Sequence, residues 1–270
     1  MPRRLPGSLF LQNLIYRRSL LFQLVRRDFE QRFVGSAIGW IWGLIHPLVL
    51  LVSWWFVFQV CLGTPFQPGE GSEHYALYLL AGMLPWLLFT ETLQRSTSSI
   101  LDHANLITKS VFPAEIIPVS VFLSSVVSHL LALALLIAAA VWRVQHVTWA
   151  LILLPVYIAV LGLLAVGLGW IAAGLHVFLR DTAQLVSVLL TFWFWMTPIF
   201  IPPGTYPVWA RFLLSGNPLY YIVRAYRTVL LTARPPAMPD LAAAAAFGAA
   251  AFIIGGLFFR HMKRGFADVL

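Results

Sequence analysis

Six long stretches without any Asp, Glu, Lys or Arg decide what this chain can fold into. They cover residues 33–69, 74–90, 116–142, 144–179, 182–210 and 241–259. A helix that crosses about 30 Å of hydrocarbon needs about 20 apolar residues, because each residue adds about 1.5 Å. The stretches therefore predict six transmembrane helices, near residues 36–62, 75–99, 115–141, 149–177, 183–201 and 240–260.

The composition agrees with a membrane protein and excludes a water-soluble one. Of the 270 residues, 60% are hydrophobic and 10% are charged. In soluble domains roughly 45–50% of the residues are apolar and about 25% are charged. Cys61 is the single cysteine and cannot form an internal disulfide, and the seven histidines lack metal-ligand spacing. We expect one all-α integral membrane domain over residues 1–270.

Basic residues predict how the helices are oriented. Because six spans place both termini on the same side, the positive-inside rule puts that side in the cytoplasm: on this topology thirteen basic residues are inside and five are outside. The net charge of +8 suits the anionic inner surface of the membrane better than nucleic acid. The basic residues of the two termini are Arg3, Arg4, Arg17, Arg18, Arg26, Arg27, Arg32, Arg260, Lys263 and Arg264.

Two segments outside the spans have a pattern of their own. Residues 8–33 contain both arginines and apolar residues. The apolar residues recur at three-to-four-residue spacing, which places them on one face of a helix beside a cationic face. This predicts an amphipathic helix lying flat on the inner leaflet, with a partly disordered arm as the alternative. Near the inner end of the second span, Glu91 and Arg95 are four residues apart. They either form an ion pair or mark an early exit of the helix into water.

The segment 202–239 is rich in proline yet partly apolar. Prolines prevent a continuous helix, and the apolar stretch 212–223 is too short to span the membrane. We therefore predict a re-entrant or gate helix pair between spans five and six, with interfacial anchoring by Arg and Tyr as the alternative. Its prolines are Pro202, Pro203, Pro207, Pro218, Pro235, Pro236 and Pro239.

The chain lacks the sequence signatures of an enzyme. It has no G-x-x-x-x-G-K-[ST] phosphate loop and no G-x-S-x-G motif, and its ten acidic residues are scattered. Carboxylates in the middle of the spans, which a proton-driven carrier usually needs, are also missing. The energy source is therefore expected to be a protein partner on the cytoplasmic side, and no cofactor is expected on this chain.

Five groups of short motifs occur in order along the chain. They are Arg27 to Phe33 with Ser36, Gly39, Trp42 and His46-Pro47-Leu48; Tyr78 to Trp86 and Asn105 to Pro118; Arg180-Asp181 and Thr197-Pro198-Ile199; Asn217-Pro218 and Tyr226-Arg227; and Phe266-Ala267-Asp268. Together these motifs resemble those of the ABC-2-type permeases that export bacterial cell-surface polysaccharides. Two departures are Phe33, where a tyrosine is usual, and Ala114, where a basic residue is common.

The resemblance implies a homodimer paired with two ATPase subunits, which bind ATP and Mg²⁺. It also implies that residues 101–113 form a coupling helix seated on the ATPase. Arg180 and Asp181 would be a second ATPase contact, or simply a helix end and cap. The residues expected to contact the ATPase are Asp102, Asn105, Lys109, Arg180 and Asp181, and those expected at the external gate are Asn217, Pro218, Arg224 and Arg227.

Aromatic residues are candidates for the path of a lipid-linked glycan, because rings can stack on the apolar faces of sugars. Aromatic belts at the two membrane interfaces are the alternative. A small-molecule or lipid exporter of the same architecture and an integral-membrane transferase are the rival functions. The candidate path residues are Trp40, Trp42, Trp54, Phe58, Trp86, Phe89, Trp193 and Trp195.

Overall fold

The computed structural model describes residues 18–32, 36, 39–61, 75–109, 112–144, 149–200, 202–232 and 234–269, and all regular structure within them is helical. The α-helices are α1 (Arg18–Gln31), α2 (Trp42–Trp55), α3 (Tyr75–Asp102), α4 (Ala104–Lys109), α5 (Ile116–Val144), α6 (Leu154–Phe178), α7 (Thr182–Met196), α8 (Arg211–Ser215), α9 (Pro218–Leu231), α10 (Met238–Met262) and α11 (Phe266–Val269).

Four of these helices, α3, α5, α6 and α10, are long and apolar enough to cross a membrane. The chain is therefore a multi-pass membrane protein. The predicted span 183–201 coincides with α7, whose 15 residues rise about 22 Å. The predicted span 36–62 coincides with a 3₁₀ turn (Gly39–Ile41), α2 and a π-helical turn (Phe56–Cys61).

Helix α6 lies at the centre and packs against α10 and α3. Glycines permit the contact with α10: a Cβ at Gly255 would overlap the backbone of Gly167, and one at Gly248 would lie 2.9 Å from the Val160 carbonyl oxygen. Small residues on both helices thus let the two backbones touch, as small-residue motifs do in membranes.

Helix α1 covers the last part of the predicted interface helix, whose residues 8–17 and 33 lie outside the described ranges. Its apolar face does not point away from the protein: Leu24 is buried, Leu20, Leu21 and Val25 are half-buried, and the helix packs against α5. Its opposite face exposes arginines and Phe22. Any lipid contact of α1 is therefore made by this mixed face.

Candidate functional site

The helical bundle has two ends, and the predicted functional residues cluster at both of them. We call the end that carries residues 197–239 the hairpin end, and the end that carries residues 101–115 and 179–181 the loop end. Between α7 and α10 the chain forms two 3₁₀ turns, then α8 and α9. The apolar stretch 212–223 is split between two helices, because Pro218 takes the first helical position of α9 and Asn217 caps it.

Asn217 ties the start of α9 to the end of α7. Its side-chain oxygen accepts hydrogen bonds from the Leu219 backbone N–H and the Trp193 indole N–H, both at 3.0 Å. Its amide group donates to the Thr197 hydroxyl at 3.0 Å. Since Asn217 and Thr197 are buried, these hydrogen bonds fix the position at which α9 begins.

Arg227 is buried and holds three parts of the hairpin end together. Its guanidinium donates to the carbonyl oxygens of Pro198 (2.8 Å) and Ile199 (2.6 Å), in the turn after α7. It also donates to the backbone and side-chain oxygens of Tyr78, at 3.2 and 2.7 Å. Such charge-assisted bonds are stronger than neutral ones, so Arg227 fastens α9 to both α3 and α7.

Two neighbouring residues add further contacts of α9. Tyr226 is buried, and its hydroxyl is hydrogen-bonded to His129 Nε2 of α5 at 2.9 Å. Arg224, by contrast, is exposed and pairs with Asp240 at the start of α10 at 3.4 Å. Of the two predicted gate arginines, Arg227 is therefore part of the interior and Arg224 faces outward.

The candidate path aromatics divide by burial. Trp86 and Phe89 of α3 are buried, and they pack against Phe194 and Trp193 with ring centroids 5.3 and 5.2 Å apart. Trp193 is half-buried. Trp42 and Trp195 are exposed, whereas the side chains of Trp40, Trp54 and Phe58 lie outside the described residues.

At the loop end, the described part of the predicted coupling segment 101–113 is helical up to residue 109, apart from a turn at residue 103. Helix α4 occupies part of 101–113, and the side chains of Asp102 and Asn105 are exposed; that of Lys109 lies outside the described residues. Arg180 and Asp181 lie in the exposed turn between α6 and α7. Asp181 occupies the cap position of α7 but makes no side-chain capping bond there.

Four charged side chains connect α1, α3 and α5 near this end, and we call them the four-charge cluster: Asp28, Arg32, Glu91 and Arg95. Arg32 contacts Glu91 at 2.6 Å, and Arg95 contacts Asp28 at 2.6 Å. Arg95 also lies 3.7 Å from Glu91. The predicted Glu91–Arg95 proximity is thus present, within a larger arrangement of two positive and two negative groups.

Arg32 is the most buried cation of the four-charge cluster. It donates to the hydroxyls of Ser128 (3.1 Å) and Ser125 (3.0 Å) of α5, and Ser125 donates to Glu91 at 3.1 Å. Burial lowers the pKa of Arg32 below its usual value, and the nearby Glu91 carboxylate opposes that shift. The cluster therefore joins α1 to the bundle through charges and hydroxyls.

Other contacts join distant parts of the loop end. Lys263, which follows α10, donates to both carboxylate oxygens of Glu115 at 2.9 and 3.0 Å. The Trp170 indole N–H donates to the Glu115 carbonyl oxygen at 3.0 Å. In the part of the chain that the structure describes, no three His, Cys, Asp or Glu side chains are grouped so as to hold a metal ion.

Apolar spans, a hairpin fastened by buried polar contacts and an exposed loop with charged residues define a multi-pass membrane protein whose two ends are built differently. Residues 19–231 match the ABC-2 type transporter family, and the chain belongs to that family. An O-antigen export system permease protein (RfbA) of Myxococcus xanthus is 28% identical to it over 253 residues, 93% of this chain and 95% of the relative. Two RfbA proteins of Klebsiella pneumoniae are 25% and 23% identical, each over 81% of this chain and 83% of the relative.

Proposed function

We propose that this chain is the permease subunit of an ABC exporter that moves an O-antigen-like, lipid-linked polysaccharide across the bacterial inner membrane. The observation that carries the proposal is the match to the Myxococcus xanthus O-antigen export permease along 93% of this chain. In this proposal the permease is a homodimer with six spans per subunit, of which α2 and α7 belong to the first and fifth. Both termini and the loop end face the cytoplasm.

In the same proposal the energy comes from two ABC ATPase subunits, which bind ATP and Mg²⁺. This chain itself carries no cofactor in the proposal. They dock at the loop end, where Asp102, Asn105, Lys109, Arg180 and Asp181 are the candidate contacts. The exposure of Asp102, Asn105, Arg180 and Asp181 supports this role, because a docking surface must be accessible. Movement of α4 reaches the spans directly, since α4 continues from α3 with a single residue between them.

The hairpin end is proposed as the external gate. Asn217 and Arg227 hold α9 against α7 and α3, Pro218 occupies the first helical position of α9, and Arg224 faces outward. Because α9 is fastened to the end of α7 at several points, displacement of α7 would carry α9 with it. A push at the loop end would thus open the opposite end.

The proposed function is tested by removing the gene and restoring it in the native bacterium. We expect surface polysaccharide to disappear with the deletion and to return only when the permease and a phosphate-loop ATPase are both expressed. Purified complex in vesicles should raise its ATPase rate with glycolipid and not with drug-like molecules. Unchanged surface polysaccharide in the deletion strain would contradict the proposal, and stimulation by drugs alone would favour a small-molecule exporter. Glycosyl transfer by the isolated chain would favour a transferase.

Single alanine substitutions test the aromatic residues of the proposed path one at a time. We expect Trp195→Ala to reduce surface polysaccharide several-fold at a normal protein level, because its ring contacts Phe200 and Phe194 but is otherwise exposed and can stack on sugars. Trp86→Ala should act through folding, with a loss of about 3–5 kcal/mol typical of a buried Trp, and Trp193→Ala should release Asn217. Surface polysaccharide and protein level are measured together. Normal export by all three variants would rule out the aromatic path.

A further inference from the structure

The segment that follows α10 is a part of the loop end to which no role has been assigned so far. It consists of a 3₁₀ turn (Lys263–Gly265) and α11 (Phe266–Val269), and we call it the C-terminal segment. The motif Phe266-Ala267-Asp268 lies within it. A helix as short as α11 is not stable by itself, yet Phe266 is only 1% exposed. Packing against the bundle therefore holds the C-terminal segment in place.

The first contact of the C-terminal segment is with the residues that follow the predicted coupling segment 101–113. The Lys263 ammonium group donates to both carboxylate oxygens of Glu115, at 2.9 and 3.0 Å. Both side chains are partly covered, with 33% and 28% exposed, so salt screens this pair less than a pair on the surface. The Ile116 N–H donates to the Pro113 carbonyl oxygen at 3.0 Å. Lys263 is thus fastened where the coupling segment joins α5.

The second contact is with the end of α6, which leads into the exposed turn 179–181. The centroid of the Phe266 ring lies 6.0 Å from that of Phe178 and 5.5 Å from that of Phe259, distances typical of attractive ring pairs. The backbone is close as well, because a Cβ on Gly265 would lie 3.2 Å from the Phe178 ring. Since Phe178 is the last residue of α6, the C-terminal segment packs directly beside the turn.

Two further contacts stiffen the framework behind these loops. The Trp170 indole N–H of α6 donates to the Glu115 carbonyl oxygen at 3.0 Å, so Glu115 is held through both its side chain and its backbone. The ends of α6 and α10 lie side by side, because a Cβ on Gly174 would be 3.6 Å from the Cβ of Met262. The start of α5 and the ends of α6 and α10 therefore form one connected unit.

We propose that the C-terminal segment positions the coupling segment and the turn 179–181 relative to each other, so that a push by the ATPase on one of them also acts on the other. Lys263 and Phe266 are the positioning residues, the first through Glu115 and the second through Phe178. Packed interiors have low compressibility and transmit strain, whereas two separate loops would absorb it. This inference rests on the ATPase docking proposed above, and it adds residues that are not among the proposed ATPase contacts.

Charge reversal in the full complex tests the proposal. Lys263→Glu and Glu115→Lys should each lower surface polysaccharide several-fold at normal levels of permease and of co-purified ATPase. The double variant should restore most of the export, because it rebuilds the ion pair with the charges exchanged. Arg264→Met is the matched control, since Arg264 is the next residue and is exposed, and it should export normally. Normal export by both single variants would overturn the proposal.

Neutral substitutions give the same test if the reversed pair lowers the protein level. Lys263→Met and Glu115→Gln should each reduce export, and their combination should cost no more than the larger single loss, because both remove the same contact. Export losses that multiply in the double variant would overturn the role of the ion pair. Failure of the charge-reversed double variant to restore export at a normal protein level would do the same.

Hydrogen exchange of the complex in nanodiscs of phosphatidylethanolamine and phosphatidylglycerol gives a readout that a merely local contact would not change. In Glu115→Lys, amide exchange should rise in the coupling segment and also in the turn 179–181, which is joined to Glu115 through the C-terminal segment and α6. Phe266→Ala should likewise raise exchange in both places. A rise confined to the neighbourhood of the substituted residue would contradict the proposal, because the two loops would then respond separately.

The wild-type complex distinguishes a failure of this inference from a failure of the proposed function. Bound ATPase should protect both the coupling segment and the turn 179–181 from exchange. If it protects neither, the proposed docking is wrong and this inference falls with it. If it protects both, while the substitutions leave export and exchange as in the wild type, the docking stands and only the positioning role is wrong.

Discussion

Arg227→Leu is expected to abolish export and to destabilise the hairpin end. The substitution leaves the carbonyl oxygens of Pro198 and Ile199 without the guanidinium that donates to them. Each buried carbonyl left unpaired costs about 1–3 kcal/mol, so we expect a total loss of about 2–6 kcal/mol from these two groups. Thermal unfolding of the purified protein and surface polysaccharide in cells measure the two effects.

Arg224→Leu is the matched control, on the same helix and three positions earlier. Its pair with Asp240 is long, at 3.4 Å, and half of the Arg224 side chain is exposed, so removing it should cost about 1 kcal/mol or less. Arg227→Lys tests geometry, because one ammonium group cannot serve the separate acceptors that the planar guanidinium reaches. A wild-type unfolding midpoint for Arg227→Leu would refute the role assigned to Arg227.

Breaking the four-charge cluster should release α1 from the bundle. In Arg32→Met, Glu91 loses its close partner, and the two remaining carboxylates face Arg95 alone. Removing one member of a buried pair costs about 3–5 kcal/mol. Because the Glu91 side chain is 36% exposed, we expect a smaller loss of about 2–3 kcal/mol. Unfolding midpoints and hydrogen exchange of residues 18–31 measure the loss.

The double variant Arg32→Met/Glu91→Gln separates charge pairing from packing. It keeps the Arg95–Asp28 contact and restores neutrality, so its cost should be smaller than the sum of the two single substitutions, with a coupling of about 0.5–3 kcal/mol. Arg26→Met is the control, because its pair with Glu30 is on the surface, with side chains 72% and 59% exposed. Additive costs in the cluster would show that these charges do not act together.

The apolar runs predicted most of the fold because a bilayer imposes a length and a composition on each span. The positions of α3, α5, α6 and α10 follow from that rule. The rule works less well for α2 and α7, which are short helices next to irregular turns. Patterns along one helix were also informative, since Glu91 and Arg95 are one turn apart in any helix.

The contacts that join helices could not be predicted from the sequence. Arg227 and Tyr78 are separated by 149 residues, and His129 and Tyr226 by 97, so only the packing of whole helices brings them together. The sequence pointed to Arg227 as a gate residue but gave no sign that it is buried. Likewise, Trp86 and Trp195 are equally apolar in sequence, and their different burial depends on which helix lies beside each.

The close approach of α6 and α10 has a mechanical consequence. Where Gly167 and Gly255 bring the two backbones into contact, neither helix can slide or roll past the other without steric overlap, because there is no side-chain layer to yield. We therefore expect α6 and α10 to behave as one rigid unit. In the transport cycle proposed above, we therefore expect α6 and α10 to move together and the short helices beside them to change position relative to this pair.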